Sequence, residues 1–165
     1  MSLDSLADAF HDGLCDIYHA ERQLLKALPK MIKKATDEKL VTALTTHLEE
    51  TKQQVERVEL AFEETEKSPR AKKCDAMAGL IEEAQSMMEK DASPDVMDAI
   101  LIGLAQKIEH YEIASYGTLC SWANSLGYMN AVEQLGENLA EEVNADKVLT
   151  KVSKSVNRAA EAVGR

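Results

Sequence analysis

Four stretches of this chain, each about thirty residues or roughly 45 Å of helix, carry apolar side chains at three- and four-residue steps. Each of these stripes holds a glutamate near its middle: Glu21, Glu50, Glu112 and Glu142. Three- and four-residue steps are the period of an α-helix with one buried face. A carboxylate on a buried face is costly unless it is paired or bound to a cation. Four helices that each bring one acid to a shared core form the arrangement that di-iron and di-manganese bundles use. The pattern therefore predicts an all-α four-helix bundle and points to metal as the common partner of the four acids.

The segments are bounded by ordinary helix punctuation. The first helix begins near Ser2 or Asp4 and runs through Leu6, Phe10, Leu14, Ile17, Glu21, Leu24 and Leu28. Pro29 predicts a kink or an end to regular hydrogen bonding, yet Met31 and Ile32 continue the stripe. Thr36-Asp37-Glu38 reads as a cap with first-turn acids, and a second helix follows to about Glu66. Ser68-Pro69-Arg70 breaks the pattern, and a shorter helix spans about Cys74 to Lys90. Ser93-Pro94 then opens a third long helix over about 94–126, Gly127 closes it, and a last one covers about Asn130 to Ala162. Short connections make the first and last pairs antiparallel hairpins, and the 66–93 stretch is long enough to cross the length of the bundle. One long crossover between two hairpins is ferritin-like connectivity, here with an additional short helix in the crossover.

Composition agrees with one helical domain over residues 1–165. Hydrophobic residues make up 45% of the chain but aromatic ones only 4%, a balance that favours helix over sheet. The net charge of −10, with no basic stripe, argues against nucleic acid and against an anionic membrane surface. No apolar run is long enough to span a bilayer, and the N-terminus has no basic segment leading into an apolar one. Cys15, Cys74 and Cys120 are widely spaced and read as free thiols, so the cytoplasm is the expected location.

The two hairpins form a weak internal repeat. Aligning Glu21 with Glu112 also aligns His19 with His110, and aligning Glu50 with Glu142 places Gln54 over Asp146. His47 stands three residues before Glu50 and shares its face; Glu109 stands three before Glu112. If Glu109 and Glu112 both point inward, a cation or a proton must lie between them. The candidate metal ligands are thus Glu21, His47, Glu50, Glu109, Glu112, Glu142 and Asp146. His19 and His110 fall on another face, and His11 reads as structural or exposed. Tyr18 and Tyr116 lie close enough to the stripes to donate to a ligand carboxylate. The Glu-x-x-His motif of such bundles would put histidines at 53 and 145, where the chain has Gln53 and Ala145. An oxygen-rich set with one imidazole suits iron or manganese, in a dinuclear site if two carboxylates bridge.

Several segments carry a resemblance. They are Leu28-Pro29-Lys30-Met31, His47-Leu48-Glu49-Glu50-Thr51, Gly79-Leu80-Ile81-Glu82-Glu83-Ala84 and, most specifically, the run from Glu109 to Leu119. Through them the chain resembles the YciE/YciF family of ferritin-like bacterial stress proteins along essentially its whole length. The resemblance implies a ferritin-like bundle with an added helix, a cytoplasmic homodimer, induction in stress, and metal held at Glu21, Glu50, Glu112 and Glu142. Three functions are compatible with these residues. One is a di-metal protein that handles oxygen or peroxide, a small oxidant being its substrate. The others are a non-catalytic interaction or structural bundle, supported by the missing histidines, and an iron-storage cage, for which nothing in the sequence specifies a shell. No Gly-x-Ser-x-Gly or P-loop points to a nucleophilic or nucleotide enzyme.

Overall fold

The computed structural model describes residues 3–65 and 67–163, so Ser2 as a helix start and Glu66 as a helix end lie outside the described residues. Five α-helices appear: α1 (Leu6–Lys34), α2 (Glu38–Phe62), α3 (Asp75–Met88), α4 (Pro94–Leu126) and α5 (Met129–Val163). A single 3₁₀ turn, Glu63–Thr65, extends α2. The chemistry of each boundary is local. Ser5 caps α1 by accepting from the Asp8 amide, Asp37 caps α2 through the amides of Lys39 and Leu40, and Gly127 ends α4 in the left-handed region at φ 75°. Pro29 does not stop α1, because it sits on the exposed face within the last turn and a half. No helix among the described residues is long and apolar enough to cross a membrane.

The cap of α2 is Asp37 rather than Thr36, because Thr36 is engaged elsewhere. Its amide and hydroxyl, together with the Asp37 amide, donate to the buried carboxylate of Asp98 at 2.8, 2.6 and 2.8 Å. The first turn of α4 is thereby tied to the α1–α2 turn. At the other end, the Ala131 amide at the start of α5 donates to Glu64 just past α2, at 2.7 Å. These two ties fix the topology. Residues 67–93 must carry the chain back along the bundle, so α1 runs antiparallel to α2 and α4, and α5 runs antiparallel to the same two. The helices pack in a ring, α1 on α2, α2 on α5, α5 on α4 and α4 on α1, with α3 laid outside against α4 and α1. This is a four-helix bundle of two hairpins and one long crossover, with an additional helix in that crossover.

Apolar layers close both ends of the bundle. Phe10, Leu14, Phe62, Ala123 and Ala131 fill one end; Met31, Leu40, Leu101 and Val156 fill the other. A polar layer lies between them. Asp98 anchors the second end, and replacing it with Ala leaves three donors without their charged acceptor. D98A is expected to cost about 2–4 kcal/mol, read by urea unfolding; a loss under about 1 kcal/mol would show that the tie is dispensable.

Candidate metal centre

Each long helix turns a narrow face inward, and the polar residues on those faces meet at mid-bundle. In α2 the buried residues His47, Thr51, Gln54 and Val58 follow steps of four, three and four. Their counterparts are Glu21 in α1, Glu109, Glu112 and Tyr116 in α4, and Asn138 and Glu142 in α5, all buried. Glu21, Glu112 and Glu142 are wholly excluded from solvent, at 0% exposure. His47, Glu109, Glu112 and Glu142 each offer a ligand atom, and these four atoms lie within 4.8 Å of one another. This buried group could hold a metal ion.

Hydrogen bonds inside the layer orient its members without satisfying them. Tyr116 Oη donates to Glu21 Oε1, and Gln54 Nε2 donates to Glu142 Oε1 at 2.5 Å. Asn138 donates to the Gln54 carbonyl at 3.3 Å and accepts from Arg57 at 3.0 Å. Arg57 is clamped in turn by both oxygens of Glu141, at 2.8 and 2.9 Å. A chain of contacts thus runs from the surface guanidinium to the Glu142 carboxylate. Yet Glu21 Oε2, Glu109 Oε2, Glu142 Oε2, both oxygens of Glu112 and both ring nitrogens of His47 are buried with no hydrogen-bond partner among the described residues. His47 approaches Glu109 at 3.5 Å and Glu50 at 3.9 Å, which are ion-pair distances without hydrogen-bond geometry. Seven buried ligand atoms without partners, on the four clustered residues and the adjoining Glu21, are the donor set that a cation would satisfy. The residues present therefore fit a metal.

The electrostatics carry the same signature. Burial, and then the neighbouring Glu142, push the Glu21 carboxyl up to about 8 against the help of Tyr116. Burial drives Glu112 and Glu109 well above the ordinary carboxylate range, and their mutual repulsion with Glu21 and Glu142 adds to it. Burial works against the charged form of His47, but Glu50, Glu142 and Glu21 outweigh it and raise its pKa. Tyr116 is held well above its usual value by burial beside Glu21, so it remains a hydrogen-bond donor. Groups this compressed demand protons or a cation.

The structure brings some of the sequence candidates together and leaves others aside. His47, Glu109, Glu112 and Glu142 form the tight group, with Glu21 adjoining it. Glu50 does not join them. It sits about 60° around α2 from His47, its side chain 23% exposed, and Gln54 faces Glu142 instead. Asp146 accepts from Gln106 at 2.9 Å and lies 3.3 Å from His110, which is 68% exposed. His19 accepts from the Cys74 amide at 3.0 Å, and His11 is buried against Thr65 and Phe62. Tyr18 donates to Glu59 at 2.6 Å rather than to a core acid. The pairing of Glu21 with Glu112 thus has a spatial counterpart, whereas that of Glu50 with Glu142 does not. Asn138 could have been found from the helical step of four that joins it to Glu142, whereas no sequence signal marks Arg57.

The N-terminal half of α2 and the C-terminal half of α5 part to leave a groove of about 840 Å³ whose floor reaches His47, Glu50 and Glu109. It connects the polar layer with the outside. Residues 5–161 match the family described as "Domain of unknown function (DUF892)". The chain belongs to this family. Protein YciF of Escherichia coli strain K12 is 45% identical over 163 residues, covering 98% of each chain. The crystal structure of that E. coli stress protein superposes with a TM-score of 0.91 at 43% identity, covering 94% of this chain and 99% of that one. YcfI from Rhodopseudomonas palustris superposes with a TM-score of 0.87 at 45% identity, covering 91% and 97%. A DUF892 bundle with a buried His–Glu centre is therefore what this sequence builds.

Proposed function

We propose that this DUF892 protein is a cytoplasmic, ferritin-like stress protein that holds iron or manganese in its polar layer, as a dinuclear site, and handles oxygen or peroxide there. The observation that supports this reading is the clustering of ligand atoms from His47, Glu109, Glu112 and Glu142 within 4.8 Å, in a layer where these residues and Glu21 carry seven buried, unpartnered atoms. His47, Glu109, Glu112 and Glu142 would hold one ion, and Glu21, oriented by Tyr116, would contribute to a second. Bound iron or manganese would supply one-electron exchange with the oxidant. The protein's own part is positional. Gln54 fixes the rotamer of Glu142, Tyr116 fixes that of Glu21 and keeps a proton beside the site, and the apolar layers at both ends exclude bulk water. The stress setting comes from the E. coli relative, and a small assembly such as a homodimer accords with the absence of any shell-forming signal.

A second reading, a bundle with no turnover, is favoured by Gln54, an amide that occupies the α2 position facing Glu142. Aerobic addition of iron(II) separates the two. A dinuclear oxygen-active site is expected to develop a near-ultraviolet charge-transfer absorption that saturates at about two irons per chain. Tight binding with no spectral change in air would favour the non-catalytic bundle.

A further inference from the structure

The groove between α2 and α5 has a chemistry of its own. Its walls are apolar, formed by Ala43 and Leu44 on one side and Val148, Leu149 and Val152 on the other. Cations line it from its middle to its outer end: Lys39 comes from α2, and Lys151, Lys154 and Arg158 come from one face of α5 at steps of three and four. Glu38 is the one acid at that end, whereas Glu50 and Glu109 lie at the inner end. None of the four forms an ion pair with a carboxylate of the described residues. On a chain of net charge −10, four cations along the outer half of an apolar trough form a local reversal of sign.

We propose that this groove binds an amphipathic organic acid, with its carboxylate held by Lys151, Lys154 and Arg158 and its aliphatic body lying along Leu44, Leu149 and Val152 toward His47. The charge distribution fixes the orientation, because the inner carboxylates Glu50 and Glu109 repel the anionic head and the outer cations attract it. The volume lies within the roughly 300–1,000 Å³ usual for small-molecule sites. From Lys39 to His47 the groove follows about 12 Å of helix, room for a medium-chain tail. A second copy of the bundle fits less well, since a convex helix face does not reach the buried His47 and Glu109. The inference deepens the metal reading by placing a substrate class beside the polar layer, but the binding itself uses residues outside that layer.

Titration calorimetry with decanoate, below its micellar concentration, tests the proposal on metal-free and manganese(II)-loaded protein. Saturable binding of one decanoate per chain is expected, with acetate and decyltrimethylammonium at least tenfold weaker. The exposed charge reversals K151E, K154E and R158E, combined, are expected to weaken decanoate at least tenfold while leaving the melting temperature and manganese uptake unchanged. Equal binding of the cationic amphiphile, no saturable decanoate binding, or indifference to the charge reversal would each overturn it. So would a dimer, seen by gel filtration, that excludes decanoate and is broken by the same reversals. Loss of metal binding with decanoate binding intact counts against the metal reading alone, and the converse counts against this inference alone.

Discussion

Metal-free protein is expected to lose stability as the pH rises from 5 to 8.5, the opposite of ordinary acid denaturation. The sign follows from the buried acids. A carboxyl whose folded pKa lies above its unfolded value contributes stability that is fully present below the unfolded value and is lost as the pH rises through the folded one. Glu21, raised from 4.5 to about 8 by burial and by Glu142, accounts for roughly 4–5 kcal/mol of that loss. Glu109 and Glu112 shift in the same direction for the same causes. The raised imidazole of His47 obeys the same sign, because its charged form is favoured in the fold and is lost as pH rises. Metal binding should reverse the trend, since it requires these groups deprotonated and releases their protons. Melting temperatures of metal-free and manganese(II)-loaded protein across this window provide the check. A metal-free profile that is flat or rises toward pH 8 would mean that the acids are not compressed as the geometry requires.

The second large effect concerns Glu112, both of whose oxygens are buried without a hydrogen-bond partner among the described residues. Glu112→Gln removes one ionisable group from the crowded layer and one ligand from the site. Two opposite consequences are expected at pH 8. The metal-free variant should be more stable than the parent, because the amide has no carboxylate to protonate or bury on folding at this pH. The stabilisation given by metal should largely vanish. In the parent, metal at a hundred times its Kd contributes about 2.7 kcal/mol, or roughly 5–10 °C in Tm for a chain of this size. Glu49→Gln, on the exposed face of α2, is the control that should change neither quantity. A variant at 112 that keeps the full metal-induced gain would remove this residue from the ligand set.

Much of the fold was legible because the stripes are long and their punctuation is chemical. Ser93-Pro94 and Gly127 mark α4 at its observed bounds, since proline at a first turn and glycine in the left-handed region have specific backbone reasons to be there. The crossover was legible from its length alone. The site was legible in part. Glu21, Glu112 and Glu142 stand in the middle of apolar stripes, and an acid in that position has few reasons to exist. Glu50 stands 3.9 Å from His47 at the edge of the layer rather than inside it, because the inward face of α2 is set by the steps from His47 to Thr51 to Gln54. A residue three positions from His47 is turned by about 60°, enough to move it from the core to the edge of a groove. Asp146 follows Glu142 by four residues, but its carboxylate is held on the α4 side of α5 by Gln106 and His110. The groove itself was not legible. It depends on how far two helices splay, which tertiary packing decides and periodicity does not encode.

The central claim is that the buried His–Glu layer is a metal site rather than an uncompensated polar core. Elemental analysis of protein purified without chelator and equilibrated with iron(II) or manganese(II) tests this most directly. Saturable retention of one to two ions per chain through gel filtration is expected, reduced at least tenfold by Glu112→Gln. Metal at background level in the parent, with no change in melting temperature on adding either ion, would contradict it.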